Sequence, residues 1–279
     1  MAMSDHEAGG HAADDPDTAW KQWHERRLAT VSAPYGPLSL TGTHWLADFP
    51  DGRIPAVPGR WRVTEGGVAL RAGPEDGLSL DGEPFTGDVV VAADEGPASH
   101  ARVTAGDVRL VVILREGEWA VRVFDPTAGA RRAFGGIEAG PYDPDFVLAG
   151  HFRPYGEDQT VQVENVDGRV RGLGLGGELS FVHGGVEHTL QVAVDGEDGS
   201  LWAVFADATS GTTSYRFRFL RPGTPAADRS VTVDFNRALL PPCAFADHFI
   251  CPFPPPGNTL PFAVAAGERR LKRALVPTI

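Results

Sequence analysis

The densest group of residues able to carry out acid–base chemistry lies near the C-terminus. Asp234, Asn236 and Arg237 fall within four positions. A carboxylate beside apolar side chains has its pKa raised by desolvation and can act as an acid or a base, while an amide can orient a substrate oxygen. Such a cluster can equally hold a loop by hydrogen bonds to the backbone, and the sequence leaves both interpretations open. The residues predicted to be catalytic are Asp234, Asn236, Arg237, His248, His151 and Glu268.

Both cysteines of the chain, Cys243 and Cys251, flank His248 at short spacing. Three soft ligands of this kind could begin a zinc site, but a fourth ligand would have to come from a distant position such as His151 or Asp234. We therefore predict no metal and expect buried thiols. A cysteine nucleophile with a histidine base stays open as an alternative, because a thiolate needs a neighbouring base or cation to form at neutral pH.

A glycine pattern resembling a dinucleotide-binding loop occurs at Gly172, Gly174 and Gly177. That loop requires a helix immediately afterwards, so that the pyrophosphate meets a helix N-terminus. Here the following residues read as a strand that runs into the Gly184-Gly185 turn. We interpret the glycines as a bend in a sheet and predict no cofactor.

The acid–base cluster itself is predicted to lie on a strand. Val231, Val233 and Phe235 alternate with polar residues, so that Asp234 and Asn236 share the opposite face. The prolines that follow donate no hydrogen bond to a sheet and must turn the chain away.

The rest of the chain is rich in strand patterns. Tyr215, Phe217 and Phe219 alternate with arginines, and Val108–Leu114 and Leu201–Ala206 are apolar on both faces, as central strands are. Asp-Gly and Gly-Gly pairs supply the turns. We predict an all-β fold, an antiparallel β-barrel or β-sandwich of ten or more strands with one N-terminal helix packed against it.

The N-terminal helix is predicted at about 16–31, where Trp20 and Trp23 begin a helical apolar spacing and dock the helix on the β core. Residues 1–14 are expected to be a disordered lead, because they show no periodicity. No biased linker follows, so residues 15–279 are predicted to form a single domain.

Composition excludes several classes of function. The net charge is −12 and the chain has two lysines, Lys21 and Lys272, which disfavours binding to nucleic acid or to an anionic membrane surface. The first residues contain no apolar signal region and no later run is long enough to span a bilayer, so we predict a cytoplasmic protein. The sequence does not predict the oligomeric state.

The chain resembles domain-of-unknown-function family 1684, a bacterial family without established chemistry. The resemblance lies in DFNRALLPPCAF and CPFPPPGNTLPF, supported by RVFDPTAGARRAFGG, AGHFRPY and VFADATSGTTSYRFRFL, and by LTGTHWL near the front. The family pattern has a tyrosine and an asparagine in place of Leu239 and Leu240, and a tyrosine in place of His248. The two leucines imply a more apolar site in this member.

From these patterns we predict a protein whose barrel or sandwich end encloses a pocket for an apolar small molecule, closed by residues 241–256. The favoured hypothesis is a cofactor-independent enzyme that uses acid–base residues for cyclisation, isomerisation or hydrolysis of a secondary-metabolite-like substrate. The alternatives are a noncatalytic carrier, or a structural or interaction protein in which the C-terminal motif plugs the barrel. The predicted substrate-binding residues are Trp45, Tyr155, Tyr215, Leu239, Leu240, Phe245 and Phe249.

Overall fold

The computed structural model describes residues 15–274 as a β-rich protein with one long helix at the front. The predicted disordered lead lies outside the described residues, and the single domain stays a prediction. The helices are α1 (Pro16–Ser32) and α2 (Gly129–Arg132). The strands are β1 (Leu40–Trp45), β2 (Arg60–Thr64), β3 (Gly67–Ala72), β4 (Leu78–Leu80), β5 (Glu83–Pro84), β6 (Gly87–Val91), β7 (Val103–Ala105), β8 (Val108–Arg115), β9 (Glu118–Phe124), β10 (Phe134–Ala139), β11 (Val147–Glu164), β12 (Val170–His183), β13 (Val186–Val194), β14 (Leu201–Phe205), β15 (Arg218–Gly223), β16 (Ser230–Asp234) and β17 (Glu268–Arg273). Short 3-10 turns occupy Pro37–Ser39, Leu46–Asp48, Pro74–Asp76, Ala98–His100, Pro144–Phe146, Phe235–Arg237 and Pro242–Ala244.

The C-terminal half is built on a six-stranded antiparallel sheet in the order β15-β14-β13-β12-β11-β16. Its two outer strands approach each other, because Phe219 of β15 and Leu239 exchange backbone hydrogen bonds of 2.9 and 2.8 Å. The sheet therefore forms a nearly closed barrel around a core that includes Leu179, Leu190 and Phe205. The predicted all-β, antiparallel fold with an N-terminal helix is confirmed.

The N-terminal half has its own core between a six-stranded sheet, β1-β9-β8-β7-β4-β5, and a three-stranded sheet, β2-β3-β6. Trp61 and Leu70 are fully buried there. As predicted, Val108–Leu114 falls in a central strand, since β8 lies between β7 and β9. The Asp81-Gly82 turn joins β4 to β5 with positive φ at both residues (52° and 89°), as tight hairpins require.

Helix α1 docks on the C-terminal half, as its tryptophans predicted. Trp20 Nε1 donates a 2.8 Å hydrogen bond to the carbonyl oxygen of Asn236. Further along the helix, Val31 is buried with Leu38 and Ile137. The helix thereby covers the two-stranded ribbon of β10 and β17, which pair antiparallel.

The proline-rich segment 241–256 connects the two halves. Ile250 packs with Trp45 and Ala120 of the N-terminal sheet, while Cys243 and Cys251 pack among aromatic side chains of the C-terminal half. This segment therefore contributes to cores on both sides, which accounts for its stiff, proline-rich composition.

Two strand predictions are wrong in their extent. The strand around Tyr215 begins only at Arg218, and Arg218 is fully buried. The strand before Asn236 ends at Asp234, so Asp234 and Asn236 do not share a strand face. In both cases buried hydrogen bonds to distant backbone outweigh the local alternation, as described below.

Candidate functional site

The Asp234 cluster forms a network of internal hydrogen bonds. The Asp234 carboxylate accepts 3.0 Å hydrogen bonds from both the backbone N and the side-chain Nδ2 of Asn236. Asn236 is fully buried and exchanges 2.9 Å hydrogen bonds with the backbone N and O of Asp143. Arg237 lies on the same carboxylate, with Nε 3.3 Å from Asp234 Oδ2. The cluster therefore ties the turn after β16 to the loop before β11.

Glu268 has a similar structural role. Its buried carboxylate accepts a 2.7 Å hydrogen bond from the backbone N of Leu240 and a 3.0 Å hydrogen bond from Arg27 Nε of α1. Arg27 also donates to the Leu240 carbonyl oxygen at 3.2 Å. Both carboxylate oxygens are thus used to fix the helix and the Leu240 segment together.

The two predicted catalytic histidines lie on different elements. His151 is an exposed residue of β11, paired with Ser230 of β16. His248 is exposed in the proline-rich segment, where its carbonyl oxygen accepts a 2.8 Å hydrogen bond from Thr43 Oγ1. It lines a polar cleft of about 270 Å³ with Trp45 and Arg169. The predicted catalytic residues are therefore not gathered around one cavity.

A cavity of about 630 Å³ lies between the β10–β17 ribbon and the proline-rich segment. Of the predicted substrate-binding residues, Tyr215 and Phe245 line it. We name it the ribbon cavity. Its lining residues are Leu38, Ala130, Arg132, Ala133, Phe134, Tyr215, Ala244, Phe245, Leu271, Lys272, Arg273 and Ala274.

The other predicted substrate-binding residues lie elsewhere. Trp45 lines a separate aromatic cleft of about 460 Å³ on the N-terminal sheet. Tyr155 packs beside the β11–β12 core, Leu240 is buried in the core under α1, and Leu239 and Phe249 pack around the thiols.

The ribbon cavity has an apolar floor and a cationic rim. Arg132, Lys272 and Arg273 are exposed at its edge, and among the residues that the structure describes none of those lining it carries a carboxylate side chain. Within residues 15–274 none of the three takes part in an ion pair. In a chain of net charge −12 this is a local concentration of positive charge.

Tyr215 connects the ribbon cavity to the two thiols. Its hydroxyl donates to the Cys243 carbonyl oxygen at 3.3 Å and lies 3.7 Å from Cys243 Sγ. Burial raises the pKa of Tyr215 to about 12, so the phenol stays protonated at neutral pH. Cys243 and Cys251 are both free and buried.

No group of three or more His, Cys, Asp and Glu side chains suited to a metal ion occurs within residues 15–274. The same part of the chain has no helix that is both long enough and apolar enough to cross a bilayer.

The sequence around the ribbon cavity and the two thiols shows which family the chain belongs to. A family model described as "Protein of unknown function (DUF1684)" matches residues 132–269, which span β10 to the start of β17. The chain belongs to the DUF1684 family. The match includes Tyr215, Phe245 and both cysteines, and it confirms the resemblance inferred from sequence.

The DUF1684 protein is also similar to a solved structure. An uncharacterized protein of Haloarcula marismortui, determined by solution NMR, shares 33% identity over 49% of this chain and 77% of its own, with a TM-score of 0.41. No curated protein matches the chain.

Sequence reasoning missed the most deeply buried ion pair of this DUF1684 protein. Arg218 and Asp207 have fully buried side chains and lie 2.6 Å apart. Arg218 also donates to the carbonyl oxygens of Ala266 (2.7 Å) and Val264 (2.8 Å). Its alternation with aromatic residues indicated only a strand, and no local signal shows that carbonyl oxygens some fifty residues later will surround it.

The rim cations were missed as well. The signal available was the placement of one of the two lysines, Lys272, in the basic run 269–273, which reads RRLKR. Its pairing with β10 is a tertiary fact.

Proposed function

We propose that this DUF1684 protein binds a small molecule with an apolar body and an anionic group in the ribbon cavity. The observation that carries the proposal is the combination of an apolar floor with three cations at the rim that form no ion pair within residues 15–274. In this proposal the small-molecule pocket predicted from the sequence is the ribbon cavity, which Tyr215 and Phe245 line, and the cations at the rim favour an anionic ligand.

The apolar part of the ligand is supported by the size and lining of the cavity. About 630 Å³ lies in the range of about 300–1,000 Å³ typical of ligand pockets. Leu38, Phe134, Phe245 and Leu271 present apolar surface to it. Each buried methylene contributes about 0.8 kcal/mol, so affinity rises about fourfold per added methylene until the cavity is filled.

The anionic part is supported by the rim. Arg132, Lys272 and Arg273 are solvent-exposed, so each contributes modestly, on the order of 1 kcal/mol or less, and the contribution falls with salt. Three cations that face one opening still distinguish a carboxylate from an alcohol or an amine of the same length.

The enzyme hypothesis favoured by the sequence is kept as the second candidate, and Tyr215 is the observation that favours it. Tyr215 is the titratable member of the two predicted residues that line the cavity. Because burial raises its pKa to about 12, it would serve as a hydrogen-bond donor or general acid toward a bound oxygen rather than as a base. A carrier returns its ligand unchanged, whereas an enzyme converts it.

The first experiment is native mass spectrometry of the purified protein beside its denatured mass, with fragmentation of any released molecule. The second is calorimetric titration with dodecanoate, dodecanol and dodecylamine. We expect dodecanoate to bind best, with an affinity that falls as salt is raised. Equal affinity for all three compounds would refute the anionic specificity.

Substitutions at the rim and in the lining of the ribbon cavity test where the ligand binds. Arg273→Ala at the rim should weaken dodecanoate binding several-fold and leave dodecanol binding unchanged. Arg53→Ala, an exposed arginine that does not line the cavity, is the matched control and should change neither. Ala244→Trp, which fills the cavity from its lining, should abolish binding of both. Full binding by Ala244→Trp would show that the ligand occupies another site.

A further inference from the structure

The two cysteines form a buried pair beneath the ribbon cavity. The backbone N of Cys243 donates to Cys251 Sγ at 3.4 Å, and the Tyr215 hydroxyl lies 3.7 Å from Cys243 Sγ. Both residues are 4% exposed and both are free thiols. They are the only cysteines in the sequence, so neither has another partner within the chain.

The surrounding backbone holds the pair in place. Cys243 lies in the 3-10 turn Pro242–Ala244, and the Cys251 carbonyl oxygen accepts a 3.0 Å hydrogen bond from the backbone N of Val166 in the β11–β12 hairpin. Phe217 and Phe219 pack against both residues. Backbone hydrogen bonds therefore anchor the segments of both cysteines on either side of the contact between Cys243 N and Cys251 Sγ.

The two thiols differ chemically. Hydrogen bonding from the Cys251 thiol, with a further contribution from Tyr215, lowers the pKa of Cys243 against the opposing effect of burial. The charge of Arg216 acts in the same direction. The same hydrogen bond and burial raise the pKa of Cys251. Cys243 is thus the more acidic of the two thiols and the one from which a nucleophilic thiolate forms more readily.

We propose that Cys243 and Cys251 form a redox-active dithiol that a hydroperoxide oxidises to a disulfide. The Cys243 thiolate attacks the terminal oxygen of the hydroperoxide; the O–O bond breaks, and the departing alkoxide or hydroxide takes a proton to become an alcohol or water. Cys251 sulfur then attacks the Cys243 sulfenic acid, the S–S bond forms, and the hydroxyl leaves as water with the Cys251 proton. The two thiols lose two electrons and two protons, and the hydroperoxide is reduced.

Within this proposal a small oxidant reaches Cys243 from the ribbon cavity. Ala244, the neighbour of Cys243, and Tyr215, whose hydroxyl touches Cys243, both line it. The proposal does not require the ligand of the previous section, because hydrogen peroxide is small enough to enter an empty cavity.

The test treats the reduced full-length protein with one equivalent of hydrogen peroxide and counts free thiols by alkylation and intact mass. We expect the count to fall from two to zero, with a mass loss of two hydrogen atoms, no dimer, and full reversal by dithiothreitol. A peptide map should show the 243–251 cross-link. An intermolecular disulfide, or independent oxidation of each cysteine to a sulfinic acid, would overturn the proposal.

Single variants test the order of the two steps. Cys251→Ser should accumulate a sulfenic acid at Cys243 that dimedone traps. Cys243→Ser should react at least about tenfold more slowly than the wild type, because burial, which the substitution leaves in place, raises the pKa of the remaining Cys251 thiol. Equal rates for the two variants would refute the assigned roles. The wild-type thiol count needs no variant, so the cross-link stays testable if a serine at either buried position prevents folding.

Discussion

Removing the charge of Asp207 should destabilise the protein severely, because Arg218 would be left buried without its counterion. Arg218 is fully buried, with Nη2 2.6 Å from Asp207 Oδ2, and the same carboxylate accepts a 2.7 Å hydrogen bond from the backbone N of Thr209. Breaking one partner of a buried ion pair costs about 3–5 kcal/mol. We therefore expect Asp207→Asn to lower the free energy of unfolding by about that amount.

Urea denaturation followed by circular dichroism measures the effect as a shift of the unfolding midpoint at constant slope. The matched control is Asp88→Asn, which breaks the Arg71–Asp88 pair; its two atoms also lie 2.6 Å apart, but its side chains are 70% and 65% exposed. The control should show no measurable loss, because solvent already screens that pair. Equal effects of the two substitutions would refute the argument from burial.

The same pair predicts a pH dependence. Burial by itself would raise the pKa of Asp207, but the Arg218 charge and the hydrogen bonds from Thr209 and Arg218 outweigh it and hold the pKa below its ordinary value of 3.8. A depressed folded-state pKa gives stability that is present above the unfolded value and is lost as pH falls through the folded one. Wild-type stability should therefore fall below about pH 4 more steeply than that of Asp207→Asn. Parallel acid titrations of the two proteins would contradict this assignment.

Three further substitutions separate structural from functional roles. Asn236→Ala leaves the Asp143 backbone groups without partners and should cost about 1–3 kcal/mol in urea unfolding; a neutral result would reopen a role outside the fold. Gly267→Ala should cost at least about 2 kcal/mol, because φ is 76° and the new Cβ would lie 2.6 Å from the Phe235 carbonyl oxygen. Gly168→Ala is its control, with φ of 77° and open space around the Cβ position, so the difference between the two isolates the clash. His248→Ala should change neither stability nor dodecanoate affinity, since His248 is exposed and does not line the ribbon cavity; a loss of binding would move the site to the proline-rich segment.

Much of the fold could be predicted because its causes are local. The apolar run Val108–Leu114 indicated β8, and the Gly184-Gly185 pair marked the turn between β12 and β13. A tight turn of this kind requires positive φ at two neighbouring residues, here 59° and 77°, and glycine adopts positive φ at low energetic cost. Where the strands end was less predictable, because Asn236 and Arg218 are held by hydrogen bonds to residues far away in sequence.

The sequence by itself determined the β architecture, the N-terminal helix and the family, since periodicity, turn residues and a long motif are properties of neighbouring positions. The sequence also showed that carboxylate, amide, thiol and imidazole side chains lie close together within residues 231–256, but it did not show the role of each side chain. Only the tertiary structure showed that Asp234, Asn236 and Glu268 are engaged in holding backbone, and that Tyr215 and Phe245 share a cavity with Lys272. Which side chains come into contact depends on the strand order and on how the ribbon packs against the barrel. Burial then decides whether a polar group is free to bind a ligand or must be hydrogen-bonded within the protein.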